Sequence, residues 1–372
     1  YERGLGHTVL RYADRNYQGA KWEKLKTVDA LQDSFPSERF RGSRAEDEKL
    51  ISVAGWDHHS FLVLSGDNFP HRLFRWKNGK WSVAGKLGKS LYEGFHNLHF
   101  PQKSKAILLA SRGFDSEQIY TWDGDGLTVS VTEDLDVDWQ SGEGRKGKAT
   151  IFYMTSDRWI CYTGRGHALK ISGETIEEIS LQNKESFVHR RDNTPLDDYP
   201  IGNIEFVGSL SPFKGYGIVK ENGRRSNWGE YSLVEFENGI WYQKSELKQF
   251  SRYPNDVWWH AQNGEADFFV SVGNGNDTYR DVYVCDINGV CKKLELNNPD
   301  FATSMVLIKT WGTSREKFWV MDDNGTVWEY LKGDWRIVVR GLDREKVEFN
   351  DAWISPTGEI IAITDDEIYR LK

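Results

Sequence analysis

The chain has 372 residues, with 48 Lys and Arg against 56 Asp and Glu, and a formal net charge of −8. That acidic balance argues against a protein that holds nucleic acid by bulk charge, since a basic domain is the usual footprint of such binding. Hydrophobic residues make up 38% of the sequence, enough to bury a core, and no apolar run approaches the roughly 18 residues of a membrane span.

Aromatics reach 14%, with 35 Gly but only 9 Pro, a composition that suits many short strands joined by glycine turns. No stretch carries the i, i+3, i+4, i+7 apolar stripe of an amphipathic helix, so the expected class is all-β. From the N-terminus, His7–Tyr12 has strand character, Ala20–Lys26 (AKWEKLK) reads as a strand, and Val28–Lys49 reads as a long irregular connection. A hairpin then recurs six times, at Arg72–Leu87, Gln118–Thr132, His167–Leu181, Tyr231–Leu247, Asp281–Leu296 and Thr326–Val339, with starts 45 to 64 residues apart. Each copy is a β-rich strand, a turn of Gly with Asn, Asp or Lys, and a second strand; the turn residues supply the positive φ of tight hairpins.

Upstream of each hairpin lies a strand pair without the glycine signature, from Leu50–Trp56 with Phe61–Ser65 to Met305–Trp311 with Lys317–Met321. Four strands repeated at this period are the signature of β-propeller blades, none of which can bury its faces alone. The C-terminus supplies only three strands, Asp351–Ser355, Glu359–Thr364 and Glu367–Leu371, and Ala20–Lys26 fits as their fourth. The expected architecture is a seven-bladed β-propeller of four-stranded antiparallel blades, a single domain over 1–372 whose ring is closed by strands from both termini. Pairing of His7–Tyr12 with Ala20–Lys26 would instead give eight partial blades.

The segment from Trp311 onward, WGTSREKFWVMDDNGTVWEYLKGDWRIVVRGL and then GEIIAITDDEIYRL, carries W-x-x-V, G-x-[IV]-W and I-Y-x-R in succession. Over about two blades it resembles tectonin-like Trp/Gly-repeat propellers; Glu174–Ile179 lacks both the Trp and the second glycine. The resemblance implies a propeller, and a function within a family that spans glycan binding and protein binding.

In a four-stranded blade the a–b and c–d turns share one end, and the b–c and d–a connections share the other. The short turns fall at the first end, as at Asp57–Ser60, Lys77–Lys80, Ser156–Arg158, Glu237–Gly239 and Lys332–Asp334. The long segments are the d–a connections Val28–Lys49, Asp134–Lys148 and Gln182–Gly202, and the b–c connections Gly66–His71, Arg112–Glu117, Glu221–Glu230 and Gly273–Arg280. Long loops in compact domains are commonly functional, which makes this the expected working face. Its Arg and aromatic residues, Arg39, Arg41, Arg190, Arg191, Tyr199, Arg224, Arg225 and Trp228, are the contact candidates, because such side chains anchor protein interfaces. Read blandly, each is a solvated loop residue whose charge pairs locally.

Chemistry-bearing clusters are sparse. His58, His59, His96 and His99 lie close in sequence and are the metal-site candidates, but zinc needs convergent ligands, and three residues along a strand place His96 and His99 on opposite faces. Asp134, Asp136 and Asp138, with Asp123 and Asp125, are calcium candidates without the EF-hand glycine and distal glutamate; Asp-Gly is also ordinary turn punctuation. No cofactor is otherwise implied. No G-x-S-x-G, P-loop, H-E-x-x-H or kinase signature occurs, and the glycine-rich Gly273–Asn276 precedes a strand and opens no helix.

Of three cysteines, Cys161, Cys285 and Cys291, the last two sit opposite each other across the loop Ile287-Asn288-Gly289. A cross-strand disulfide fits there, as do two reduced thiols. The disulfide reading, and a chain beginning at Tyr1, point to a periplasmic or secreted location. The sequons at Asn276 and Asn324 are triplets that also arise by chance. The function expected is non-catalytic binding of a protein partner through the long-loop face, as an inhibitor, immunity or accessory protein. A glycan-binding propeller, or a hydrolase or lyase working in a central channel, are the alternatives.

Overall fold

The computed structural model describes residues 14–34, 49–57, 59–66, 71–87, 93–102, 105–112, 116–122, 124, 127–133, 150–155, 158–162, 168–172, 175–179, 187–189, 204–211, 214–221, 230–237, 240–248, 254–262, 265–274, 277–295, 306–343 and 347–372. The strand expected at His7–Tyr12 lies outside them. Among the described residues seven sheets form. The first holds β2 (Lys49–Asp57), β3 (Ser60–Gly66), β4 (His71–Lys77) and β5 (Lys80–Leu87). Next come β6 (Glu93–Gln102), β7 (Lys105–Arg112), β8 (Ser116–Trp122) and β9 (Leu127–Glu133), then β10 (Thr150–Thr155), β11 (Arg158–Tyr162), β12 (Ala168–Ser172) and β13 (Thr175–Ile179). The fourth holds β15 (Ile204–Ser211), β16 (Lys214–Glu221), β17 (Glu230–Glu237) and β18 (Ile240–Glu246), with β14 (Phe187–His189) as a fifth strand. The fifth is β19 (Pro254–Gln262), β20 (Glu265–Asn274), β21 (Asp277–Asp286) and β22 (Cys291–Leu294); the sixth is β23 (Leu307–Ser314), β24 (Lys317–Asp322), β25 (Val327–Leu331) and β26 (Asp334–Val339). In the last sheet β27 (Asp351–Ile354), β28 (Ile360–Ile363) and β29 (Glu367–Leu371) are joined by β1 (Trp22–Thr27) from near the other end of the chain.

Successive strands lie side by side in chain order, antiparallel in pairs such as β2–β3, β7–β8 and β20–β21. β1 pairs antiparallel with β29, Trp22 opposite Leu371 and Thr27 opposite Glu367. Side chains reinforce that pairing, since Lys24 forms an ion pair with Glu367 and Tyr369 donates a hydrogen bond to the same carboxylate.

Several segments depart from the sequence reading. Val28–Lys49 opens with a short helix, α1 (Val28–Ser34). Thr27 Oγ1 caps it by accepting the Ala30 N–H at 3.1 Å, and Val28 and Leu31 are buried. Gly273–Arg280 is no long connection, because β20 and β21 run through it and leave only 275–276 between them; Gly-Asn is a two-residue hairpin signal. Within Gln182–Gly202, β14 lies parallel to β18 along its outer edge, with Phe187 opposite Trp241 and His189 opposite Gln243. A three-residue ladder gains about 1 kcal/mol net per hydrogen bond against about 1–2 kcal/mol for each residue ordered. Its backbone pairing is therefore close to balance.

Contacts group the chain into two compact units, one built on Arg145–Val320 with Tyr330–Arg336, the other on Tyr12–Gly144 with Met321–Glu329 and Ile337–Lys372. The core of the second unit follows from the two-residue period of a strand. Phe61, Leu62, Val63 and Leu64 of β3 are all at most 1% exposed. Phe61 and Val63 pack in one cluster with Ile361, Ile363 and Ile368 of the last sheet, while Leu62 and Leu64 pack in another with Leu98 and Trp122 of the next. One strand thus feeds the interfaces on both faces of its sheet. In the other unit, Tyr216 and Ile218 of β16 share a core cluster with Trp259 of β19 and Phe268 and Val270 of β20.

Polar side chains fix how neighbouring first strands meet. Asn350 Nδ2 donates to Leu50 O at 3.4 Å, and Asp351 Oδ2 accepts the Val53 N–H at 3.0 Å. Trp353 then closes over Gly55, where a Cβ would stand 2.9 Å from the indole. The same clasp recurs in the other unit. Asn255 Nδ2 donates to Leu307 O at 3.0 Å, Asp256 Oδ2 accepts the Thr310 N–H at 2.6 Å, and Trp258 covers Gly312, where a Cβ would stand 2.6 Å from its ring. In both, Asn-Asp-x-Trp on one first strand faces Leu-x-x-x-x-Gly on the next, and the bonded positions rise together along both strands, so the strands run in the same direction.

Gly312→Ala is expected to destabilise the protein by about 1–3 kcal/mol through overpacking. Asp256→Ala should cost about 1–3 kcal/mol by leaving a buried N–H without its acceptor. Urea unfolding of both variants checks this, and unchanged midpoints would remove the clasp from the account.

Candidate functional site

Turn chemistry distinguishes the two ends of each sheet. At the a–b and c–d end the connections are at most five residues long. Lys77–Lys80 turns on Asn78 and Gly79 with φ of 49° and 84°, and the β25–β26 turn on Lys332 and Gly333 with 51° and 106°, the mirror-image turns that match strand twist. Asp286–Val290 and Ser355–Glu359 use another solution. In each the fourth residue is a glycine at φ near 80°, its N–H bonds the first residue's carbonyl, and the first side chain accepts the fifth N–H, at 3.0 Å for Asp286 and 2.9 Å for Ser355.

The opposite end carries the d–a connections 28–48, 88–92, 134–149, 180–203, 247–253, 295–306 and 340–350, and the b–c connection 222–229. Gly66–His71 and Arg112–Glu117, expected as long connections, are short, because the strands on either side run into them and leave only 67–70 and 113–115 between. In the second unit its described part is a hydrogen-bonded platform. Leu342 N donates to Asn324 O and Phe349 N to Asp323 O, while Trp22 Nε1 donates to Gly325 O at 2.8 Å with its ring against Phe349. The β28–β29 turn ties in α1 and β2, since Asp366 O accepts the Val28 N–H and Asp365 O the Leu50 N–H. Lys49 Nζ lies 2.8 Å from the Asp365 carboxylate.

Asp322 organises the b–c turn of this platform. Its Oδ1 accepts the N–H of Thr326 at 2.8 Å and of Asn324 at 3.2 Å. Burial chiefly, with a smaller push from the Asp323 carboxylate, raises its pKa from 3.8 to about 7 against the donors from Thr326, Trp328 and Asn324, which favour the anion. A carboxyl with a folded pKa above its unfolded value binds a proton in the fold across that interval. Its contribution to stability is then complete below about pH 4 and declines as pH rises through 7. Asp322→Asn is expected to flatten this slope, so that its deficit against the unmodified protein is largest near pH 4 and shrinks toward pH 8 in urea melts. A deficit that widens with pH would assign the charged form to the fold.

The eight Arg and aromatic contact candidates lie outside the described residues, but the strands that tether them are defined. Arg39 and Arg41 fall between α1 and β2. Arg190, Arg191 and Tyr199 fall between β14 and β15, and Arg224, Arg225 and Trp228 between β16 and β17. In an antiparallel sheet β15 begins, β16 ends and β17 begins at the same end, and β14, parallel to β18, also runs toward it. Six of the eight candidates are therefore tethered to one end of the five-stranded sheet.

Of the metal candidates, His58 lies outside the described residues. His59 is exposed in the β2–β3 turn, where its carbonyl accepts the Asn78 N–H at 2.8 Å. His96 and His99 are both in β6, whose register with β7 shifts between Phe95 and Asn97 and again between His99 and Gln102. Asp123, Asp125, Asp134, Asp136 and Asp138 lie outside the described residues. Among those described, no three His, Cys, Asp or Glu side chains converge as a metal site. Cys285 and Cys291 face each other across β21 and β22, bonded, with Cα atoms 4.0 Å apart. Cys161 sits in β11 opposite Ile151 and Leu169. No helix among the described residues is long and apolar enough to cross a membrane.

Two elements escaped the sequence reading. The clasp leaves a legible trace, PNDVWW and FNDAWI, a twice-occurring Asn-Asp-x-Trp at the start of a first strand. β14 leaves almost none, being three residues within a polar stretch.

No protein-family model matches the chain, and no curated protein does. Solved structures do. YCF48 bound to a D1 peptide is 12% identical with a TM-score of 0.53, over 97% of this chain and 98% of that one. YCF48 from Cyanidioschyzon merolae is 10% identical with a TM-score of 0.55, over 94% and 98%. The C-terminal WD40 domain of Sif2 is 9% identical with a TM-score of 0.54, over the same shares. At these identities the likeness is one of fold, and with the succession of four-stranded sheets it establishes that the chain is a β-propeller protein.

Proposed function

We propose that this β-propeller is a non-catalytic binding protein that takes a protein partner at the long-connection end, centred on the five-stranded sheet. The observation that carries the reading is the tethering of Arg190, Arg191, Tyr199, Arg224, Arg225 and Trp228 to one end of that sheet. The fold is shared with YCF48, one structure of which holds a peptide. Arg39 and Arg41, in the connection between α1 and β2, are further contact candidates in this reading. The seven sheets are the seven blades of one domain, closed by β1 beside β29, with tectonin-like repeats in the last blades. It acts without a cofactor, as an inhibitor, immunity or accessory protein, and its net charge of −8 favours a basic partner.

Affinity capture from the source organism with the unmodified chain and with an Arg224→Ala/Arg225→Ala/Trp228→Ala variant tests this. Hot-spot aromatics and arginines commonly account for 2 kcal/mol or more, so the captured partner should bind the variant about 30-fold or more weakly. The melting temperature should stay the same, because 222–229 is a connection between strands. Equal binding by both forms would remove these residues from the interface.

We place the protein outside the cytoplasm, in the periplasm or secreted, and the Cys285–Cys291 bond supports this. Thiol labelling of denatured, unreduced protein from its native source should modify one cysteine, Cys161, and all three after reduction. Three labelled before reduction would argue for a reducing compartment.

A further inference from the structure

The fourth sheet differs from the other six. Among the described residues it alone carries a fifth strand, and the six others end on their fourth. β14 is therefore not needed to complete a sheet of this kind. It covers only Trp241, Tyr242 and Gln243 of the seven residues of β18, and it does so from inside a connection that spans 180–203 between β13 and β15. An edge strand offers a row of backbone donors and acceptors that any extended segment can pair with, and proteins commonly cover such edges. Here the cover is short, parallel and tethered on both sides.

We infer that the outer edge of β18 is a strand-acceptor site for an extended segment of the partner protein, and that Phe187–His189 is a resident stand-in that the partner displaces. This rests on the protein-binding reading above and names the form in which the partner is taken. The register states what the segment must look like. It runs parallel to β18 and places an aromatic residue opposite Trp241, a β-branched residue opposite Tyr242 and a polar residue opposite Gln243, as Phe187, Val188 and His189 do. In such pairing main-chain bonds supply affinity and alternate side chains supply selectivity. The resident strand has the advantage of a high effective concentration, so an incoming segment must extend its pairing along Lys244–Glu246, positions that β14 does not reach.

A fluorescent synthetic peptide with the sequence of 184–192 serves as the probe, titrated by anisotropy against the full chain and against a Val188→Pro/His189→Pro variant. Successive amides of a strand point in opposite directions, so the two prolines remove at least one N–H that faces β18, whichever set does, and release the resident strand. The variant should bind the peptide at least 10-fold more tightly than the unmodified chain, and a peptide carrying the same two prolines should bind neither. Binding to neither form, or equal affinity for both, would overturn the proposal. Should the variant fail to fold by circular dichroism, hydrogen exchange on the unmodified chain with saturating peptide decides: slowed exchange across 240–246 supports the site, and no change there rejects it. Peptide binding retained by the Arg224→Ala/Arg225→Ala/Trp228→Ala variant alongside lost partner capture would bear on the long-connection residues and leave the edge site standing. Lost peptide binding with intact partner capture would reject the edge site alone.

Discussion

The structure depends on burying sheets on both faces, as the best-described ones show. A strand presents alternate side chains to opposite sides, and in β3 both sets are apolar and almost wholly removed from water. Phe61 and Val63 need the last sheet, and Leu62 and Leu64 need the next one. Each such side chain is worth about 1.5–3 kcal/mol when fully buried, so a sheet that lost either neighbour would expose several of them at once. Ile360–Ile363 in β28 and Phe318–Met321 in β24 are equally enclosed. Repetition of the sheets is thus a requirement of their own amphipathicity reversed, two apolar faces where an isolated sheet would have one.

Apolar burial alone does not set register, because one hydrophobic strand slides past another at little cost. The Asn-Asp-x-Trp clasps supply direction. They bond one carbonyl and one N–H three residues apart, and the Trp closes on a glycine two residues further along. Gly55 and Gly312 are needed for this approach, since any Cβ there would collide with both the indole and the Phe of the neighbouring strand. The polar groups bond backbone of the next first strand, which also satisfies the N–H groups of the buried residues Val53 and Thr310.

The same economy shapes the surface. Connections at one end stay at two to five residues, and the long ones are at the end that carries the d–a and b–c connections. There the chain is free to add material without disturbing any ladder, and it has done so as a helix, α1, and as an edge strand, β14. Both connections also carry arginines that the binding reading uses, Arg39 and Arg41 in one and Arg190 and Arg191 in the other.

Local signals were enough for much of this. Asn78-Gly79 and Lys332-Gly333 declared their hairpins, and AKWEKLK declared itself a strand in want of a partner, because turn conformation and period-two patterning are properties of a few adjacent residues. The reversal at 275–276 was misread because Gly, Asn and Asp mark a loop and a two-residue hairpin alike. The contact candidates could be named from residue type, yet only the pairing of β15 to β18 and β14 brings the strand ends that flank six of them to one end of a sheet. The sequence by itself determined that the chain is a succession of four-stranded β units with short turns at one end. Tertiary structure alone decided which backbone Asn350 and Asn255 reach and that Phe187–His189 lies against β18, because those bonds join residues about 50 to 300 positions apart and no local pattern encodes a partner so distant.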